Sequence, residues 1–188
     1  MRDILRDIVT DDQRAVKVIH RLRLLLKQGE VQIQPLSVNE VVHEVLELLR
    51  RELIDRDVSV QTELSPNLQV LQADRVGLQQ VFINLLTNAC DAMAGMPQSD
   101  RQITIRTELA EDDFAVISVS DQGPGIAQEN LEQVFEPFFT SKANGMGLGL
   151  SVCRTIISAH KGRLWVTNNS GRGATFHFTL PLSQGRAK

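Results

Sequence analysis

Apolar residues at Ile4, Ile8, Ala15, Val18, Ile19, Leu22 and Leu25 or Leu26 recur at three- and four-residue steps, predicting one helix that stops at Gly29. Charged residues, among them Arg2, Asp3, Asp11, Lys17 and Arg21, fill the gaps and suit a solvated face. Nothing adjacent in sequence covers the apolar stripe. A lone amphipathic helix is marginal in water, so this one requires partner helices, expected from a second copy.

After Gly29 the period changes. Val31 to Gln34 alternates like an edge strand that stops at Pro35. Ser37 with Glu40 three residues on predicts a capping box, opening a helix whose apolar face is Val41, Val45, Leu48 and Leu49. Short strands are expected at Val58–Gln61 and Leu68–Leu71. A long helix follows from about Asp74 to Met93, carrying Val76, Val81, Phe82, Leu85, Leu86 and Ala89. Strands near Ile103–Leu109 and Phe114–Ser120 flank the acidic turn Glu111-Asp112-Asp113. A glycine-rich segment then leads into a helix near Leu148–Ala159. Strands Arg163–Thr167 and Ala174–Leu180 close the chain, with Gly171 and Gly173 between them.

About three helices against one mixed, mostly antiparallel sheet is an α+β two-layer sandwich, here preceded by one long bundle helix. Strict alternation of strand and helix is missing, which argues against a doubly wound sheet. The expected division is residues 1–29 for the bundle helix and 30–188 for the sandwich.

Composition narrows the function classes. The net charge of -3 argues against bulk electrostatic binding of nucleic acid. Cys90 and Cys153 sit in apolar helical patterns without a CxxC partner, as small buried hydrophobes of a reducing compartment do. No apolar run approaches the roughly 18 residues of a membrane span, and no signal peptide opens the chain. The expectation is a soluble, cytoplasmic segment without membrane contact, although a longer parent leaves room for a membrane segment upstream.

Four segments carry candidate chemistry. On the long helix, Asn84, Asn88 and Asp91 share one face by their four- and three-residue spacing. A solvated polar face explains them; so does a role for the Asn88 amide oxygen as a hard ligand of hydrated magnesium. Asp121-Gln122-Gly123-Pro124-Gly125-Ile126 follows a strand directly. It reads as a turn, or as a carboxylate that accepts a hydrogen bond from an exocyclic amine while Gly123 and Gly125 let the backbone approach a flat base. That choice favours adenine over guanine, whose carbonyl oxygen would face the carboxylate unpaired.

Phe135-Glu136-Pro137-Phe138-Phe139-Thr140-Ser141-Lys142 holds three of the seven phenylalanines, read as structural anchors for a loop. Lys142 is either a solvated lysine or one that swings toward a phosphate tail. Gly145-Met146-Gly147-Leu148-Gly149-Leu150 opens a helix, where backbone N–H groups and the helix dipole can cradle phosphate. Its spacing matches neither a Rossmann fingerprint nor a Walker loop.

The order and spacing of these segments resemble the histidine-kinase branch of the superfamily that also holds gyrase, the heat-shock chaperone and mismatch-repair ATPases. The resemblance spans about Val31 to Pro181. Asn84 to Ala92 looks like its N box, Asp121 to Gly125 its first glycine box, Phe135 to Phe139 its F box and Gly145 to Leu150 its second glycine box. Gly171-Arg172-Gly173-Ala174-Thr175-Phe176 resembles its final hairpin. The resemblance implies a Bergerat-type ATP-binding fold with ATP and Mg2+ as cofactors. Asn88 would bind magnesium, Asp121 would read adenine with help from Thr175, and about Thr140 to Gly147 would form the ATP lid. The ATP site so implied comprises Asn84, Asn88, Asp91, Ala92, Asp121, Gly123, Gly125, Ile126, Lys142, Gly145, Met146, Gly147, Leu148, Gly149 and Thr175.

Hydrolysing members of the superfamily carry a glutamate four residues before the magnesium asparagine. That position is Asn84, and an amide is no general base at neutral pH, which favours a kinase over an ATPase. The leading segment, Asp11 to Arg23, resembles the second helix of the family's dimerisation and phosphoacceptor bundle. The helix with the phosphoacceptor histidine is missing, and the neighbours of His20 do not resemble that box. His43, His160 and His177 read as structural or surface residues. The implied function is transfer of the ATP γ-phosphate to a histidine on the dimerisation domain, for relay to a response regulator aspartate, in a homodimeric parent. The chain alone is expected not to autophosphorylate. The alternatives are an ATPase that uses ATP as a conformational clamp and a non-catalytic module that binds a response regulator.

Overall fold

The computed structural model describes residues 32–68, 70–110, 114–140, 142 and 145–182. The leading helix, the acidic turn at 111–113 and parts of the glycine-rich segment lie outside the described residues. Strand β1 (Gln34–Leu36) leads to helix α1 (Val38–Asp55), then β2 (Ser59–Leu64), β3 (Leu71–Ala73) and helix α2 (Arg75–Ala92). Strands β4 (Gln102–Leu109) and β5 (Phe114–Asp121) precede helix α3 (Gly149–Ala159), and β6 (Leu164–Asn168) and β7 (Ala174–Pro181) finish the fold.

Five strands form one sheet in the order β2-β4-β5-β7-β6, while β1 and β3 form a separate two-stranded sheet. β2 runs parallel to β4, and the other neighbours are antiparallel. This is the expected mixed, mostly antiparallel α+β sandwich, with three α-helices among the described residues. One face of the sheet, with Ile105, Ile117, Val119, Phe178 and Leu180, packs against α1, α2 and α3. Phe82 of α2 meets Phe178 of β7 edge-to-face, with ring centroids 5.6 Å apart. Among the described residues, no helix is long and apolar enough to cross a membrane.

Local sequence explains most boundaries. The Ser37 hydroxyl accepts the Glu40 N–H at 3.4 Å, and Asp74 caps α2 by accepting the Val76 N–H at 3.1 Å. Only that half of the expected capping box forms. The Glu40 carboxylate faces Arg75 instead, at 3.7 Å.

Other expectations shift. The first strand passes through Pro35 instead of ending there, because Pro35 pairs with Gln72 in a short edge ladder that can spare its N–H. The strand expected at 68–71 forms at Leu71–Ala73. Leu48 and Val76 are 68% and 65% exposed. Leu48 lies roughly 85° around α1 from the centre of its buried stripe of Val38, Val41, Val42, Val45 and Leu53, at the stripe's edge beside Val41.

Both cysteines are buried. Burial pushes the Cys90 thiol up to about 11, so it stays protonated and serves as packing. His160 is structural, as expected. It is 4% exposed and accepts the Asp74 N–H at Nε2 (2.8 Å). Its Nδ1 lies 2.7 Å from the Ile156 carbonyl oxygen, which puts the proton on Nδ1. The ring thereby fastens the end of α3 to the start of α2.

Candidate functional site

Asp121 ends β5 and is 5% exposed. Its Oδ1 accepts the backbone N–H of Gly123 at 2.7 Å and, more weakly, that of Ala174 at 3.4 Å. No hydrogen bond from a described residue reaches Oδ2. Burial pushes this carboxyl above the usual aspartate range, and the two backbone N–H groups only partly offset that. The result is a buried acceptor, held by one oxygen and open at the other.

The turn after Asp121 is clamped from β6. Asn168 Oδ1 accepts the Ile126 N–H at 2.8 Å, and Asn168 Nδ2 donates to the Ile126 carbonyl at 2.7 Å. Gly125 lies against the same asparagine. Asn169 donates through Nδ2 to the Asp121 carbonyl oxygen at 3.0 Å and lies 3.2 Å from the Ser120 hydroxyl. Gly173 has a φ of +89°, and a Cβ there would stand 1.9 Å from the Asp121 carbonyl oxygen, so only glycine lets the hairpin close onto this strand end.

Thr175 does not join Asp121. It pairs with Ser120 across β5 and β7, so strand alternation puts both hydroxyls on the face opposite Asp121 and Ala174. Its hydroxyl donates to Asn169 Oδ1 at 2.6 Å, with the Ser120 oxygen 2.9 Å away. The residue on the Asp121 side is Ala174, which offers a backbone N–H.

The three polar residues of α2 separate into two roles. Asn84 is 4% exposed and not part of a solvated face. It accepts from Gln80 at 3.0 Å and donates to the Gly149 carbonyl at 3.2 Å, tying α2 to the first residue of α3. Asn88 and Asp91 are half-buried and share one partner: Lys142 Nζ lies 3.2 Å from Asn88 Oδ1 and 2.8 Å from Asp91 Oδ2. Arg56, just past α1, takes the other Asp91 oxygen at 2.7 Å. Burial would raise the Asp91 carboxyl, but the bonds from Lys142 and Arg56 outweigh it and hold the group below the usual aspartate range. Ala92 is exposed and abuts the other segment, since a Cβ at Gly123 would meet its Cβ at 3.1 Å.

The glycine-rich segment folds back on the phenylalanine segment. Gly147 (φ +65°) accepts the Phe138 N–H at 2.9 Å, and a Cβ there would stand 2.4 Å from the Phe138 carbonyl carbon. The Gly145 N–H bonds the Lys142 carbonyl at 3.0 Å. Met146 is half-buried, and Leu148 is buried just ahead of α3. Helices α1 and α2 have side-chain caps, but no side chain caps α3. Its first N–H groups therefore lack a side-chain acceptor, the arrangement of a helix start that can take an anion. Phe135 anchors as expected, edge-on to Phe176 at 6.2 Å. Phe138 does not: it is 74% exposed, with a φ of +68°.

The contacts thus join all four motif segments: Ala92 to Gly123, Asn88 and Asp91 to Lys142, Asn84 to Gly149, and Gly147 to Phe138. Arg56, Asn168, Asn169 and Ala174 are additions that sequence reasoning missed. An acidic residue at 91 on the Asn88 face, with Lys142 the first lysine after it in the chain, was the one available hint of the Asp91–Lys142 pair. Among the described residues there is no cluster of three or more His, Cys, Asp or Glu that could hold a metal ion. An ammonium seated on one amide oxygen and one carboxylate oxygen fits a seat for a hydrated hard cation.

An α+β sandwich with a buried carboxylate at a strand end, a cation seat on the central helix and an uncapped helix behind glycines is the form of a nucleotide-binding domain. The chain belongs to the histidine kinase-, DNA gyrase B- and HSP90-like ATPase family, whose signature matches residues 73–184. It is 39% identical to the sensor protein FixL of Bradyrhizobium diazoefficiens over 170 residues, which is 90% of this chain and 33% of that protein. It therefore spans about a third of that relative's length. The catalytic domain of histidine kinase ThkA superposes with a TM-score of 0.70 at 33% identity, covering 80% of this chain and 95% of that one. ThkA in complex with the response regulator TrrA gives 0.74 at 28% identity, covering 94% and 50%. Full-length ShkA in complex with AMPPNP gives 0.74 at 25% identity, covering 88% and 34%. The chain is homologous to the ATP-binding catalytic domains of two-component sensor histidine kinases.

Proposed function

We propose that this chain binds Mg-ATP in the joined site and presents the γ-phosphate to a histidine imidazole on a dimerisation domain. The supporting observation is that one contiguous site holds a buried carboxylate with an open oxygen, a cation seat at Asn88 and Asp91, and an uncapped helix behind glycines.

In this reading Asp121 Oδ2 accepts the exocyclic amine of adenine, while Gly123 and Ala174 orient the carboxylate. Gly125 and Ile126, fixed by Asn168, hold the turn beside the base. Backbone N–H groups from Met146 to Gly149 face the phosphates, with Gly145 closing the turn ahead of them through its bond to the Lys142 carbonyl, Met146 and Leu148 packed behind, and Lys142 near the triphosphate. Magnesium, held by Asn88, supplies charge neutralisation on the phosphates. The bond between the γ-phosphorus and the bridging oxygen of ADP breaks as an imidazole nitrogen bonds to phosphorus, and an acidic neighbour of that histidine takes the proton.

Asn84 supports kinase over hydrolase. Its amide is no base, and both ends of it are engaged with Gln80 and Gly149. In this reading the accepting histidine lies on the separate dimerisation domain; His160 has both ring nitrogens engaged, and His177 stacks on Trp165 with centroids 5.1 Å apart. The partners that follow are a histidine-bearing dimerisation domain in a homodimer, and a response regulator whose aspartate takes the phosphoryl group, in the cytoplasm.

Calorimetric titration with Mg-ATP tests the reading. Asp121→Ala should lose about 1.5–3 kcal/mol of binding, the worth of a hydrogen bond to a charged group. Unchanged affinity in that variant removes the proposed base contact.

A further inference from the structure

The Lys142 ammonium does more than cover a polar face. It lies 3.2 Å from Asn88 Oδ1 and 2.8 Å from Asp91 Oδ2, so two oxygens one helical turn apart converge on a single positive charge. Asp91 divides its oxygens. Oδ1 is held at 2.7 Å by Arg56, which is itself braced by Glu52 at 2.9 Å. Among the described residues, Oδ2 meets Lys142 alone. If Lys142 withdraws, Arg56 keeps the carboxylate in place, and Oδ2 and the Asn88 oxygen still face one point. A neutral and an anionic oxygen so fixed suit a hard divalent ion that retains most of its water.

The lysine is also tethered. Its N–H bonds the Thr140 hydroxyl at 3.1 Å, and its carbonyl accepts the Gly145 N–H at 3.0 Å, so it is hinged in the turn that leads to the glycines. A lysine carries a compact point charge on a flexible stem, which suits exchange between sites better than the planar fork of an arginine.

We propose that Asp91 is a second member of the magnesium seat beside Asn88, and that Lys142 is a built-in cation occupying that seat until metal–nucleotide displaces it. The exchange puts one cation in the place of another, so the Asn88 and Asp91 oxygens keep a positive partner throughout, and the released ammonium is free to meet the triphosphate. Nucleotide binding then requires both the base contact at Asp121 and the eviction of Lys142. The inference rests on the nucleotide reading only for what evicts the lysine.

Two measurements test it, on wild type, Asp91→Asn and Lys142→Met, with circular dichroism to verify folding. In nucleotide-free protein, acylation of Lys142 followed by mass spectrometry should be several-fold slower than that of exposed Lys161. In Asp91→Asn it should rise to the Lys161 rate. ATP titrations at stepped Mg2+ concentrations, and in EDTA, give the second readout. Asp91→Asn should raise the Mg2+ needed for half-maximal binding by about tenfold, as loss of a metal-supporting group does, and should not weaken ATP binding in EDTA, where its Lys142 is already released. Lys142→Met should lower the Mg2+ requirement. Equal Lys142 acylation in wild type and Asp91→Asn overturns the proposal, as does an Asp91→Asn loss that is the same with and without metal. If ATP fails to bind wild type at all, the nucleotide reading falls with it; ATP binding indifferent to Asp91 overturns this inference alone.

Discussion

Asn168 and Ile126 form a closed pair of hydrogen bonds across 42 residues of sequence: the side-chain amide accepts the Ile126 N–H at 2.8 Å and donates to its carbonyl at 2.7 Å. Only a side chain with a donor and an acceptor on one planar head fits both. It locks the turn that carries Gly123 and Gly125 to the end of β6. Asn168→Ala should therefore weaken Mg-ATP binding by roughly threefold to tenfold, the equivalent of one modest hydrogen bond. Asn168→Asp should be no better, because its carboxylate would oppose the Ile126 carbonyl. Calorimetry on both variants checks this, and full affinity in Asn168→Asp contradicts it.

Asp121 sets function against stability. Its folded carboxyl titrates above the ordinary aspartate value, so across that window the folded state holds more protons than the unfolded one. Stability from this group is greatest at low pH and is lost as pH rises through the folded value. Asp121→Asn removes the buried charge and still offers Gly123 an acceptor. It should unfold at higher urea than wild type at neutral pH while losing ATP affinity. A lower midpoint contradicts the sign. In wild type, ATP affinity should hold at neutral pH and fall with acid, at a pH above that of a free aspartate.

Asp91 works in the opposite direction. Its carboxyl lies below the usual range in the folded state, so its stabilising contribution is present above the ordinary aspartate pKa and is lost as pH falls through the lowered value. In Asp91→Asn the acid limb of the urea midpoint against pH should flatten. An unchanged limb shows that the Lys142 and Arg56 contacts add nothing in solution.

His160 is the most testable structural residue. His160→Phe leaves the Asp74 N–H and the Ile156 carbonyl without their present partner, and should cost about 1–3 kcal/mol in urea denaturation. Nucleotide affinity of the folded variant should stay near wild type, because the ring lies outside the site.

Incubation with radiolabelled ATP addresses the acceptor. No acid-labile phosphohistidine should form on this chain, and its appearance would place the acceptor among its four histidines.

What the sequence revealed was periodic or ordered. The core runs of α2, β5 and β7 and the order of glycine and asparagine motifs were visible because each is a local pattern. What stayed hidden depends on distance or facing. The resemblance of the final hairpin made Thr175 a helper of Asp121, yet one residue of strand register turns its side chain to the other face. Arg56 meets Asp91 across 35 residues, and His160 meets Asp74 across 86. No window of neighbouring residues contains such pairs. Phe138 counted as an anchor by residue type, but its positive φ turns it outward.

The hairpin at Gly173 has a consequence for biosynthesis. Asp121 gains its Ala174 N–H, and its strand gains β7 as a neighbour, only when the last described strand is in place. Chains emerge from the ribosome amino end first. Asp121 is therefore made well before the residues that complete its surroundings, and, if it reads the base as proposed, a nascent chain stalled ahead of residue 174 should be unable to retain nucleotide. In the proposed reading, competence for ATP waits on β7, which keeps nascent chains that lack it from engaging nucleotide.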